Sequence, residues 1–166
     1  MPDEHDDDQE GLDKPPPFFP YENGATPDDH ESMGEPVEVS VEGVFAAANN
    51  GNVQRFVLLS DGDRKVPILI GEFEAAAILY SLDGATPDRP MTHDLLKTVI
   101  DRLGGTLEKV VIDDLWSTTF YAKMHVTHGA ETLSIDARPS DSIAVALRFE
   151  APIFVAEGIL QRGADQ

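Results

Sequence analysis

Two pairs of carboxylates, one histidine and one arginine stand out in this 166-residue chain as side chains whose spacing suits acid–base and metal chemistry. Glu72 and Glu74 directly follow an apolar strand-like run, Val66–Ile70, and open a helix-like one. Asp136 and Asp141 do the same after Leu133 and Ile135, with Arg138, Ser140 and Ser142 between and beside them. Magnesium or manganese favours a few carboxylates with water completing the shell, and such an ion activates water and shields a phosphate. Glu74, Asp136 and Asp141 are therefore the candidate ligands for Mg2+ or Mn2+, with Glu72 a further donor, provided the two turns are neighbours in the sheet. His93, beside Asp94 at a helix start, is the candidate general base or an extra ligand, since imidazole titrates near neutral pH. Arg138 and Ser140 sit where free backbone N–H groups already favour an anion, so they are candidates for holding a phosphate oxygen. Plainer roles stay open: first-turn acids cap helices, His93–Asp94 suits a capping pair, and Arg138 suits a clamp on Asp136 or Asp141.

Other combinations offer less. Asp113 and Asp114 are adjacent on a strand and point to opposite faces, so at most one serves any given site. His125 and His128 lack the further ligands a zinc centre requires. Tyr121 stands two residues before Lys123 where an acid-any-lysine nuclease motif would need a carboxylate. There is no phosphate-binding glycine loop, and Gly104-Gly105 is a helix stop.

The elements that must position these residues are legible from periodicity. Val37, Val39 and Val41 alternate with polar residues, Asn49-Asn50-Gly51 is a turn, and Val53–Ser60 and Val66–Ile70 follow as strands, which makes a three-stranded antiparallel unit. Pro67 has no N–H to give and belongs at a strand start or on an edge. Helices are predicted over Gly71–Leu82 and Asp94–Leu103, the second capped by Thr92 or His93 and carrying an apolar stripe of Leu95, Leu96, Val99, Ile100 and Leu103. Strands over Leu107–Trp116, Thr119–Thr127 and Glu131–Ile135 come next. Then come a helix begun by Pro139 and capped by Arg138 or Ser140, a strand Ala151–Val155 and a last helical turn to Gln161. Strands and helices in blocks predict an α+β fold with a mainly antiparallel sheet.

Charge divides the chain. Twelve of the 31 acidic residues lie in residues 1–36 against Lys14 alone, with seven of the 12 prolines. That segment is expected to be a disordered acidic tail ahead of a domain over residues 37–162, and Pro15–Tyr21 offers a stiff aromatic run for a protein partner. The net charge of -19 opposes charge-driven binding of phosphate backbones. Without cysteine, disulfides and thiolate metal sites are excluded. The acidic start and short apolar runs predict a cytoplasmic protein with no membrane role.

Four segments in register, Pro67–Ala75, Arg89–Leu96, Phe120–Lys123 and Asp136–Arg148, resemble the bifunctional nuclease domain family, over about Val37 to Leu160. The resemblance implies an α+β domain and nuclease activity on RNA and DNA. It carries Glu72, Glu74, His93, Asp94, Asp136, Arg138, Ser140 and Asp141 over as the family's shared polar signature, without assigning roles. The competing reading is a non-enzymatic homo-oligomer, a dimer in the first instance, that binds a ligand or another protein.

Overall fold

Val37 and its alternating neighbours form β1 (Pro36–Asn49), the strand that joins the two halves of the sheet. Its first residues, Pro36–Val39, pair with β7 (Ile153–Ala156), and from Ser40 onward it pairs instead with β2 (Asn52–Ser60). This computed structural model describes residues 32–164 apart from Asn50. The acidic segment up to residue 31, including the Pro15–Tyr21 run, lies outside the described residues.

Seven strands form one sheet in the order β3-β2-β1-β7-β4-β5-β6, where β3 is Lys65–Ile70, β4 Gly105–Trp116, β5 Thr119–His128 and β6 Glu131–Ala137. Every pairing is antiparallel except β4 with β7. With four helices this is the α+β architecture expected from the sequence. Alternation fixes which face is inside: Val66, Ile68 and Ile70 of β3 are buried while Lys65, Pro67 and Leu69 are exposed. β3 is an edge strand, so the missing N–H of Pro67 falls where a ladder tolerates it.

The core is closed by α1 (Glu72–Leu82), α3 (Pro139–Phe149) and α4 (Glu157–Ala164). α3 is the most buried, with Ile143, Ala144, Val145 and Ala146 all inaccessible, and it packs on α1 through side chains as small as Ala75 and Ala77. Small residues on both helices let the axes approach, which brings their N-termini close together.

α2 (Thr92–Arg102) departs from expectation. Its N-cap is Met91 rather than Thr92 or His93, and none of its residues is fully buried; Leu95 and Leu103 are 57% and 72% exposed. The helix is turned so that its polar side meets α3: Asp94 bonds Arg148, and the Lys97 ammonium lies 4.7 Å from the Phe149 ring centre. Of the apolar stripe, Ile100 packs against the core while Leu95, Leu96, Val99 and Leu103 are left exposed.

Residues ahead of Val37 are also bonded to the domain. The Met33 N–H donates to Asp113 O, and the Gly158 and Glu157 N–H groups donate to Met33 O and Glu35 O, giving partners to free N–H groups at the start of α4. Among the described residues no helix is long and apolar enough to cross a membrane.

Candidate active site

Three helix N-termini meet at one cleft, and each supplies a side chain from its first turn. α1 begins after Gly71, whose lack of a Cβ leaves room for the Glu74 carboxylate to fold back over it; a Cβ there would collide with Glu74 Oε2. α2 contributes His93, and Asp94 caps it by accepting the Met91 N–H at 2.8 Å. α3 begins with Arg138 at the N-cap and Pro139 next, and the Ser142 N–H and hydroxyl both donate to Arg138 O. A positive helix end stabilises each acid in these first turns.

The side chains form a chain of bonds. Arg138 donates from Nη2 to Glu74 Oε1 at 2.8 Å and from Nε to Asp141 Oδ2 at 2.6 Å. The other oxygen of Asp141, Oδ1, lies 3.0 Å from His93 Nε2. The His93 bond, with Arg138 adding to it, holds the Asp141 carboxyl below the usual carboxylate range even though burial opposes this. An ionised Asp141 beside Nε2 fixes the ring proton on that nitrogen and leaves Nδ1 as the basic one. His93 is 12% exposed in its side chain, whereas Arg138 is 66% exposed. The cleft has a volume of about 350 Å³, and Phe73, 85% exposed, stands at its wall.

Of the residues singled out from sequence, Glu74, His93, Arg138 and Asp141 are brought together. Glu72 is exposed and pairs with Arg55 of β2 at 3.4 Å. Asp136 lies on the exposed strand β6, in register with Lys123. Among the described residues no three histidine or acidic side chains converge to hold a metal ion, so the expected Glu74, Asp136 and Asp141 ligand set is not assembled. Asp136 is exposed on β6 outside the lining of this cleft, and the cation between Glu74 and Asp141 is the Arg138 guanidinium. Ser140 is buried beside Arg138 but faces a second cleft. Arg138 is paired with Asp141 and, in place of Asp136, with Glu74.

Two residues were not singled out. Phe73 is one, a large aromatic between Glu72 and Glu74 that is out of step with the buried Ala75, Ala77 and Ile78. Arg148 is the other: its side chain is 7% exposed, and it bonds Asp94 of α2, Ala77 O of α1 and Ala144 O of α3. An arginine one turn after Ala144 on an apolar helix face was the available signal. Elsewhere, Asp113 is buried and paired with Lys123 at 3.3 Å, and His125 is held below its usual pKa by burial and by Lys109.

The fold and cleft define a single α+β domain with a carboxylate–guanidinium–imidazole site at converging helix starts. A sequence model of the bifunctional nuclease domain matches residues 57–165, which include the whole site. The chain is 42% identical over 123 residues to an uncharacterized protein of Mycobacterium tuberculosis, covering 74% of this chain and 73% of that protein. It is 29% identical over 101 residues to Bifunctional nuclease 1 of Oryza sativa subsp. japonica and 25% identical over 93 residues to Bifunctional nuclease 1 of Arabidopsis thaliana. These matches cover 58% and 54% of this chain but only 30% and 29% of the plant proteins. The chain belongs to the bifunctional nuclease domain family.

Proposed function

We propose that this domain is a nuclease that hydrolyses phosphodiester bonds of RNA and DNA in the cleft shared by Glu74, His93, Arg138 and Asp141. The observation that carries the reading is the Asp141–His93 bond lying next to an anchored but accessible guanidinium. His93 Nδ1 takes a proton from the attacking water as its oxygen bonds phosphorus, the bond from phosphorus to the leaving sugar oxygen breaks and that oxygen takes a proton from solvent, while Asp141 steadies the imidazolium that forms. Arg138 uses Nε and Nη2 to hold its two carboxylates, so Nη1 is left to meet a phosphate oxygen as charge develops. Phe73 offers a flat apolar surface to a base of a single strand. Glu74 positions Arg138 and has no step of its own.

Magnesium or manganese does not fit between Glu74 and Asp141 while Arg138 occupies that place, so the roles above belong to side chains alone. The test is incubation with end-labelled single-stranded RNA and DNA in magnesium, in manganese and in chelator. Scission of both polymers in chelator is expected. Scission only with added ion would transfer charge neutralisation from Arg138 to a metal, and no scission in any buffer would refute the activity.

The oligomeric reading has one observation in its favour. Leu133 and Ile135 remain 50% and 39% exposed on edge strand β6, and Leu95, Leu96, Val99 and Leu103 of α2 are also uncovered. Antiparallel pairing of β6 with a second copy about Ser134 would set Leu133 opposite the partner's Ile135 and Glu131 opposite the partner's Ala137, with no like charges facing. A dimer by light scattering, reduced to monomer by Ile135→Lys, is the expected result. A monomeric wild type would exclude this pairing.

A further inference from the structure

Arg138 lines two clefts, and the second differs from the catalytic one in charge and lining. It holds about 450 Å³ between the β2–β3 edge, the β4–β5 turn and the start of α3. Phe56, Leu69, Thr119, Phe120 and Ser140 are among its walls, and Arg138 is the one formally charged residue lining it. The lining has no carboxylate of its own; Glu74 and Asp141 hold the guanidinium from the neighbouring cleft.

Ser140 supplies an independent pointer to a ligand. It is 7% exposed, and its side chain makes no hydrogen bond to another described residue. Ser140 is among the residues that line this cleft. Beside it, the first helical bond of α3 is Ser142 N–H to Arg138 O, and Arg138 makes no side-chain cap, so the Ser140 and Asp141 N–H groups have no acceptor within the helix. Across the cleft, Phe56 and its β-ladder partner Leu69 form an apolar wall with Phe120 near it; Leu69 is 58% exposed.

We propose that this second cleft binds one nucleotide unit of a single-stranded nucleic acid, its phosphate on Ser140, Arg138 and the start of α3 and its base against Phe56 and Phe120. This rests on the nuclease reading: the shared Arg138 then lies between the nucleotide held here and the bond cleaved beside His93. The subsite would give affinity for strands longer than the one nucleotide at the reacting bond.

Titration of the full chain with uridine 5′-monophosphate, uridine and inorganic phosphate, followed by amide NMR, tests the proposal without requiring turnover. The expected result is shifts of the Ser140, Asp141 and Phe120 amides with the monophosphate. Affinity should fall about tenfold for uridine, for phosphate, and for the monophosphate with Ser140→Ala. Phe120→Leu keeps an apolar side chain and should weaken the monophosphate but not inorganic phosphate. Equal binding of inorganic phosphate would reduce the cleft to an anion site and overturn the proposal. Absence of shifts would overturn it, and so would shifts that track protein concentration alone, which would place a second copy on Phe56 and Leu69. Nucleotide shifts that persist while His93→Ala leaves cleavage unchanged would sink the nuclease reading but not the subsite.

Discussion

Replacing Arg148 by methionine is expected to lower the melting temperature by about 10 °C, roughly 3 kcal/mol, the largest effect of any single substitution at the helix junction. Methionine fills much of the volume but removes every bond the guanidinium makes. Asp94 then loses its cation, and the Ala77 and Ala144 carbonyl oxygens lose a donor in a part-buried setting. Because those partners lie on α2, α1 and α3, the three helix starts would lose their common tie, and catalytic geometry should degrade with stability. Asp94→Asn keeps the Met91 cap and should cost less. Thermal melts against pH give a second check. Burial pushes the Asp94 carboxyl up, but Arg148 and the Met91 N–H outweigh it and leave the pKa below 3.8. A depressed folded pKa means the pair's stabilisation is fully present above pH 3.8 and disappears as pH falls through the lowered value. Arg148→Met should flatten that acid dependence. A variant melting within a degree of the wild type would show that the three helices do not depend on this arginine.

Asp141→Asn is expected to reduce cleavage by roughly 10²–10⁴-fold while leaving a folded protein. The amide is nearly isosteric, but it can donate to His93 Nε2, moving the ring proton to Nδ1, the nitrogen that must be free to act as base. It also weakens the grip on Arg138 Nε, so some loss of melting temperature accompanies the rate effect. Glu74→Gln separates the two contributions. It loosens Arg138 from the other side without touching the His93 bond, so it should lower kcat with little change in KM, and by less than Asp141→Asn does. If the two variants behave alike, Asp141 acts only by holding Arg138.

Alternating valines, Asn49–Gly51 and Gly104-Gly105 disclosed most strands and turns, because local period and turn chemistry are written in neighbouring residues. Long-range pairing is not. The four-residue β7 lies between β1 and β4 and is parallel to the latter, which no local signal specifies. The site divides the same way. First-turn acids at strand-to-helix turns drew attention to Glu74 and Asp141, but their partners are distant, with Arg138 64 residues beyond Glu74 and His93 48 residues before Asp141. Asp136 shares the composition of the motif, but the strand continues to Ala137 and Asp136 is exposed on it, outside the lining of the cleft. Arg148 lies in the last turn of α3, where a cation is ordinary, and is the buried tie between three helices.

In the proposed mechanism His93, oriented by Asp141 beside Arg138, performs the chemistry. The most direct test of this is the initial rate at which wild type and His93→Ala cleave the same labelled single strand, at saturating protein and with equal melting temperatures confirmed. A fall of about 100-fold or more is expected in His93→Ala, whereas equal rates in the two proteins would contradict the assignment of this cleft as the active site.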